Sequence, residues 1–165
     1  MKQVQAINKK IYSLTELKHV VIAWKTIGKT VAFTNGCFDI LHEGHIFSLS
    51  QAAKEADYLI VALNTDSSVK RLKGEERPIN NEHSRSLLIA SLIMVDAVVL
   101  FDEDTPLNVI STLLPDVLVK GGDYTVEQIV GSKEVIANGG RVVINPIIEG
   151  FSTTGIINHI KQSYS

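Results

Sequence analysis

Apolar side chains recur along this chain at two spacings that take turns. Leu14, Leu17, Val20, Val21 and Trp24 stand three and four apart, and Ser13 with Glu16 forms a capping box, so a helix is predicted over about 14–27. The run TVAFT at 30–34 is β-branched and apolar, reads as a buried strand, and is ended by Asn35-Gly36. A helix is then predicted at 44–56, a strand at 58–64, and a helix at 81–93 with Asn80 or Asn81 as its cap. A strand at 97–101 precedes a helix opened by Asp104-Thr105-Pro106, and a further strand lies at 116–120. A short helix at 132–137 closed by Asn138-Gly139-Gly140, a strand at 141–145 and a last helix capped by Ser152 or Thr153 and ending near Ile160 complete the pattern. Residues 1–12 are polar and read as loosely ordered.

Strands alternating with helices imply an α/β, Rossmann-like domain with a parallel sheet, right-handed crossovers and helices on both faces. Five strands give the expected order 3-2-1-4-5, in one domain spanning 1–165. Ligands then bind outside the carboxyl ends of the strands, where the order reverses between strands 1 and 4. The loop after strand 1 carries Asn35 to His45, and the loop after strand 4 carries Lys120-Gly121-Gly122-Asp123-Tyr124. Both unusual loops fall on one crevice.

Composition narrows the function classes. A hydrophobic share of 45% over 165 residues is enough for a real core. A net charge of −2 gives no basic footprint for nucleic acid or an anionic membrane. The longest apolar stretch, 87–100, is interrupted by Ser91 and Asp96, and the N-terminus lacks the apolar core of a signal peptide. Cys37 is the only cysteine, which excludes an internal disulfide. A cytoplasmic protein with neither nucleic-acid nor membrane partners is expected.

The candidate chemistry starts at residues 35–45. A strand, a glycine turn and a helix start expose backbone N–H groups that suit an anion, and His42 and His45, three apart, share that helix start. A zinc half-site would need a second ligand pair, and none follows. Gly28-Lys29-Thr30 imitates the end of a Walker A loop, but Ala23 stands where its earlier glycine belongs and the run precedes a strand, leaving Lys29 a solvated charge. Lys70, Arg71, Lys73 and Arg77 lie on a link containing Gly74 and Pro78, either a solvated basic loop or a mobile arm carrying cations over a polyphosphate. Gly150 to Thr154 opens the last helix, as a plain cap or as a second anion site.

The segment HEGH fits the HxGH signature of the nucleotidyltransferase superfamily, and NGCFDILHEGH fits its cytidylyltransferase-like branch. With NTDSSVKRLKGEERPIN, DEDTP, LPDVLVKGGDY, GSKEVI and GFSTT in the same order, the chain resembles the D-glycero-manno-heptose 1-phosphate adenylyltransferases from about Ser13 to Ile160. That family's module is often fused behind a sugar kinase; none is present, so a stand-alone form is expected. Glycerol-3-phosphate cytidylyltransferases carry an arginine where Ile147 stands, which argues against cytidylyl transfer.

The resemblance implies transfer of AMP from ATP to heptose 1-phosphate, with Mg²⁺ as counter-ion and a homodimer as the assembly, the stretch 87–100 being the candidate interface. It implies that His42 and His45 serve the α- and β-phosphates, that Lys73 bridges acceptor and α-phosphate, and that Arg85 with Ser152, Thr153 and Thr154 holds the β- and γ-phosphates. Thr34, Asn35, Gly36, Cys37, Phe38, Gly44, Lys120, Gly121 and Asp123 complete the expected nucleotide contacts. Asp39, Asn64, Asp66, Lys73 and Arg77 are the expected acceptor contacts, with Asp39 also the candidate for Mg²⁺. The competing readings are a cytidylyltransferase for glycerol 3-phosphate or another alcohol phosphate, and a silent nucleotide-binding protein. A silent protein should have lost a histidine, the lysine or a helix-start hydroxyl, and all are present.

Overall fold

A computed structural model describes residues 6–148 and 150–163. Its strands are β1 (Ile11–Tyr12), β2 (Val31–Gly36), β3 (Tyr58–Asn64), β4 (Ala97–Phe101), β5 (Val117–Gly121) and β6 (Arg141–Asn145). The helices are α1 (Leu14–Thr26), α2 (Glu43–Ala53), α3 (Asp66–Lys73), α4 (Glu82–Ala90), α5 (Leu107–Leu113), α6 (Ser132–Ala137) and α7 (Thr153–Ser163). The strands form one parallel sheet in the order β1-β4-β3-β2-β5-β6.

Five strands were expected and six are present among the described residues. The additional strand is β1, which pairs Ile11 with Val98 and Tyr12 with Val99 and so covers the free edge of β4. Residues 8–10 form a 3₁₀ turn leading into it, so this part of the polar N-terminal segment is ordered; the expectation for residues 1–5 lies outside the described residues. Lys10 fastens the turn by donating to the Val95 carbonyl at 2.6 Å. Two half-buried residues are too few to show a period, which is why the strand escapes the hydrophobic pattern.

A second difference concerns residues 66–73, expected as a flexible link. They form α3, with the Thr65 hydroxyl accepting from Ser68 N at its start and Gly74, at φ +99°, ending it. Only Val69 supplies a buried apolar side chain to this helix, so its polar sequence conceals it. The helix expected at 81–93 stops at Ala90, and the one expected to start at Asp104 starts at Leu107 with Pro106 as its cap. Asn81 caps α4 by accepting from Ser84 N at 2.9 Å, and the Ser13–Glu16 box caps α1. Lys29, expected to be solvated, pairs with Asp57 at 2.9 Å.

Alternation along the strands divides the core. One face packs Phe33, Ile60, Val99 and Leu118 against Leu17 and Val21 of α1, Ile110 of α5 and Val135 of α6. The other packs Ala32, Val61, Val98 and Val119 against Leu49 of α2 and Ile89 of α4. At the amino ends of the central strands, carboxylates accept the leading N–H groups: Asp57 takes Thr30 N, Asp116 takes Val31 N and Asp96 takes Leu59 N, at 3.0, 2.8 and 2.8 Å. That edge is chemically closed. The carboxyl ends of β2, β3, β4 and β5 instead contribute Asn35, Asn64, the Asp104 loop and Lys120 to one cavity.

Candidate active site

Strand β2 ends in a tight turn. Phe38 takes φ 46°, and a Cβ on Gly36 would come within 2.8 Å of the Phe38 ring, so only glycine admits this chain path. The turn lays Phe38 against His45, with ring centroids 5.0 Å apart. His42 is the N-cap of α2; its side chain makes no capping bond, while its carbonyl accepts from His45 N at 3.0 Å and Ile46 N at 3.3 Å. The first N–H groups of the helix, those of Glu43 and Gly44, thus take no side-chain cap, which leaves them to an anion.

The His42 and His45 rings stack at 3.7 Å, and the Nδ1 atom of each is buried without a hydrogen-bond partner among the described residues. Burial, reinforced by the neighbouring His42 and only partly opposed by the Ile40 carbonyl, pushes His45 down to about 4. Burial also lowers His42. Both rings are thus neutral near pH 7 and can donate only through an N–H tautomer. Gly44 makes the stack possible: a Cβ there would lie 3.1 Å from His42 Nδ1 and 3.2 Å from Phe151 Cβ.

Beside His45 opens a cavity of about 570 Å³. Of the expected site residues, Asn35, Gly36, Cys37, Phe38, Asp39, His45, Asn64, Lys73, Arg77, Lys120, Thr153 and Thr154 line it. They come from the ends of β2, β3 and β5, from the loop after β2 and the start of α2, from α3 and its following arm, and from the first turn of α7. Lys73 is exposed and has no ion-pair partner among the described residues. Lys120 lies 3.4 Å from Asn35 Oδ1, and burial lowers its pKa, so its ammonium is poorly compensated by the protein. Burial also raises the Cys37 thiol, keeping it protonated in spite of Lys73, Arg85 and Arg77 nearby.

Several expectations need correction. Arg85 does not face the cavity: it is fully buried and donates to the Cys37 carbonyl at 2.7 Å, Asp66 Oδ1 at 2.8 Å and the Asn80 carbonyl at 3.0 Å. Asp66 is tied to Arg85 and, through its N–H, to Glu82, so it is a bracket between helices instead of an acceptor contact. Asp39 lines the cavity, but its carboxylate is filled by Arg77 Nε at 2.7 Å, Ile79 N at 2.9 Å and Asn80 N at 2.8 Å. Burial pushes the Asp39 carboxyl up, yet these donors together hold it below the ordinary range.

Thr34 is buried within β2, Asp123 is exposed, and neither these nor Gly44, Gly121, Ser152 and His42 line the cavity. Ser152 uses its hydroxyl to cap α7, accepting from Gly155 N at 2.9 Å. Asp104 does not cap α5 but pairs with Arg71 at 2.9 Å. The lining residues absent from the expected set are Leu72, Asp104, Thr105, Pro106, Leu118, Tyr124, Ile129 and Val130. Most are aliphatic and read as core; Tyr124 stood in a loop already singled out, where its ring was the available signal.

The model of the cytidylyltransferase-like family matches residues 33–159, which contain all the residues lining this cavity. The chain belongs to the cytidylyltransferase-like family. This cytidylyltransferase-like chain is 51% identical over 156 residues to the bifunctional protein HldE of Rhodospirillum rubrum, covering 94% of the chain and 32% of the relative. It is 58% identical over 134 residues to the HldE of Hyphomonas neptunium, covering 81% of the chain and 28% of the relative. The chain thus spans about a third of the length of the curated relatives it matches.

Among solved structures, the lipopolysaccharide core biosynthesis protein of Thermoplasma volcanium aligns with a TM-score of 0.60 at 31% identity, covering 73% of this chain and 98% of that one. The pantoate-β-alanine ligase of Francisella tularensis aligns with a TM-score of 0.59 at 13% identity, covering 92% of this chain and 76% of that one; it shares the fold.

Proposed function

We propose that this chain transfers AMP from ATP to D-glycero-manno-heptose 1-phosphate, releasing pyrophosphate and forming ADP-heptose. The observation that carries the proposal is the meeting of His45, Lys73, Lys120 and the Thr153–Thr154 helix start in one cavity at the point where strand order reverses. The high identity to HldE proteins supports it.

A sugar phosphate monoester is largely dianionic at neutral pH, its second pKa being about 6, so no general base is needed. Its oxygen attacks the α-phosphorus; one P–O bond forms there, the α–β bridging P–O bond breaks, and pyrophosphate leaves with the electron pair. What remains is bringing anions together and stabilising the charge that develops. In this reading Lys73 meets the acceptor phosphate and the α-phosphate, and His45, neutral through burial, donates to the nucleotide phosphates. The starts of α2 and α7 hold the remaining oxygens with backbone N–H groups and the hydroxyls of Thr153 and Thr154.

Asp39 does not fit the metal role expected of it, since both its oxygens already accept hydrogen bonds, and no group of three metal-ligating side chains exists among the described residues. The proposal has Mg²⁺ enter on the polyphosphate as part of the substrate and gives it no protein ligand.

A cytoplasmic setting, where ATP is at hand, belongs to the same proposal; among the described residues no helix is long and apolar enough to cross a membrane. So does a homodimer, although much of the apolar stretch expected to form it is core: Ile89, Ala90 and Val95 are buried, leaving Leu88 and Ile93 exposed. A panel of nucleoside triphosphates against sugar and alcohol phosphates, read by pyrophosphate release, tests the reaction. ATP with heptose 1-phosphate should give the highest kcat/KM. Preference for CTP with an alcohol phosphate would replace this reading with cytidylyl transfer.

A further inference from the structure

The carboxyl edge of the sheet runs β4, β3, β2, β5, β6. Helix α2 follows β2 and α7 follows β6, so both helix starts suited to phosphates lie at or beyond β2. The loop after β4, residues 102–106, reaches the same cavity from the opposite side, past β3. Its chemistry is different. Among the described residues the cavity has two acidic lining residues, Asp39 and Asp104. Asp39 is saturated by protein donors, whereas the Asp104 side chain is 65% exposed. Asp104 Oδ1 accepts from Arg71 Nε, and its Oδ2 has no partner among the described residues. Thr105 is exposed and its hydroxyl makes no hydrogen bond there.

A fixed carboxylate repels a phosphate but accepts well from alcohols. We propose that Asp104 and Thr105 recognise hydroxyl groups of the acceptor sugar, making the loop after β4 the specificity-determining wall of the cavity. This rests on the nucleotidyl-transfer reading of the site.

The loop is built to hold such a geometry. The Thr65 and Ser67 hydroxyls donate to the Asp102 carboxylate, and Arg71 donates to the Asp102 carbonyl. Ser68 Oγ donates to the Glu103 carbonyl at 3.1 Å, and Asn108 Nδ2 to Glu103 Oε1 at 2.9 Å. All but Asn108 belong to α3 or its cap, and α3 ends at Lys73. The cation that would meet the acceptor phosphate and the carboxylate that would meet its hydroxyls therefore ride on one stitched unit. The separation of the backbone positions that bear them is preset, so the unit gauges the distance from phosphate to hydroxyl before the acceptor arrives.

The test uses Asp104→Asn, Thr105→Val and Arg71→Met, the last removing the ion pair while leaving the carboxylate. Steady-state constants are measured with ATP, the best sugar 1-phosphate and its singly deoxygenated analogues. Asp104→Asn and Thr105→Val should each raise the acceptor KM about tenfold or more while the ATP KM moves less than about twofold. One deoxy analogue should be nearly indifferent to Asp104→Asn, whereas Arg71→Met, which loosens the whole loop, should raise the acceptor KM for every analogue alike. An unchanged acceptor KM, an equal rise in the ATP KM, or an Arg71→Met variant matching Asp104→Asn across the analogues would each overturn the assignment while the transfer reading stands. A wild-type protein that releases no pyrophosphate with any acceptor overturns the transfer reading, and this assignment with it.

Discussion

The imidazoles of His42 and His45 lie 3.7 Å apart and 22° from parallel, so a proton on either ring puts a charge against the other. With His45 held at about 4 when folded and near 6.5 when unfolded, the sign is fixed. Above about pH 6.5 both states are neutral and folding is unaffected. Between about 6.5 and 4 the unfolded chain binds the proton and the folded one refuses it, so stability falls as pH falls. Allowing for its partial opening to solvent, His45 should account for on the order of 1–2 kcal/mol of that loss. Urea titrations at pH 7 and pH 4.5 measure it: His45→Gln should lose less stability across the interval than the wild type. Equal losses would show that the ring titrates normally.

Arg85 joins three segments through three short hydrogen bonds, and lysine cannot span them. Arg85→Ala should destabilise the fold by about 3–5 kcal/mol because it leaves Asp66 and two carbonyls without their buried donor. Arg85→Lys should recover only part. The denaturant midpoint reports this. A variant of full stability whose only defect is a raised nucleotide KM would return Arg85 to the phosphates.

Gly44→Ala gives a helix a better helix former, worth about 0.5–1 kcal/mol on propensity. The new methyl group nonetheless meets His42 and Phe151 at 3.1 and 3.2 Å. The melting temperature should move little, while nucleotide affinity by calorimetry falls about tenfold or more as the stacked rings shift. Retained affinity would mean that the ring stack is not needed for binding.

Asp39 grips the arm that follows α3, through Arg77 Nε and the N–H groups of Ile79 and Asn80, while Asn80 Nδ2 donates back to the Asp39 carbonyl at 2.6 Å. Asp39→Ala should release that arm. Tryptic cleavage after Lys73 should then quicken by about tenfold or more under native conditions, where local opening controls access. An unchanged digestion rate would place the arm's order in other contacts.

The sequence was legible where period and punctuation agree. The capping box at Ser13 and the Asn81 cap mark real boundaries because each is local, whereas the strand expected at 30–34 is present but runs on through Asn35-Gly36, the pair expected to end it. Local signals could not reveal β1, whose two residues become a strand only by pairing with β4, nor α3, whose polar face is ordered by Asp102 and Asp104 of a distant loop. In the site, the strand, glycine turn and helix start around His45 could be read from the residues alone, whereas Lys73, Lys120, Thr153 and Thr154 stand out through the family resemblance, their local sequence fitting a plain loop or cap as well. Leu72, Pro106, Leu118, Ile129 and Val130 could not be named, since an aliphatic side chain looks alike whether it faces a core or a cavity. Arg85 shows the reverse failure: a guanidinium on a helix suggests solvent or phosphate, and here three oxygen atoms keep it dry.

Helix α7 has no fully buried side chain among its described residues, yet its first turn supplies Thr153 and Thr154 to the cavity. Its near end is tied to the body by a 3.4 Å bond from Thr153 to the Ile40 carbonyl and by Phe151 beside His42. Such slender docking makes grip on a nucleotide a thermodynamic sum of two events, seating the helix and filling it. The exposed Asn158, one turn beyond Thr154, consequently becomes a remote dial on affinity, since a stronger helix former there prepays part of the ordering without touching a phosphate.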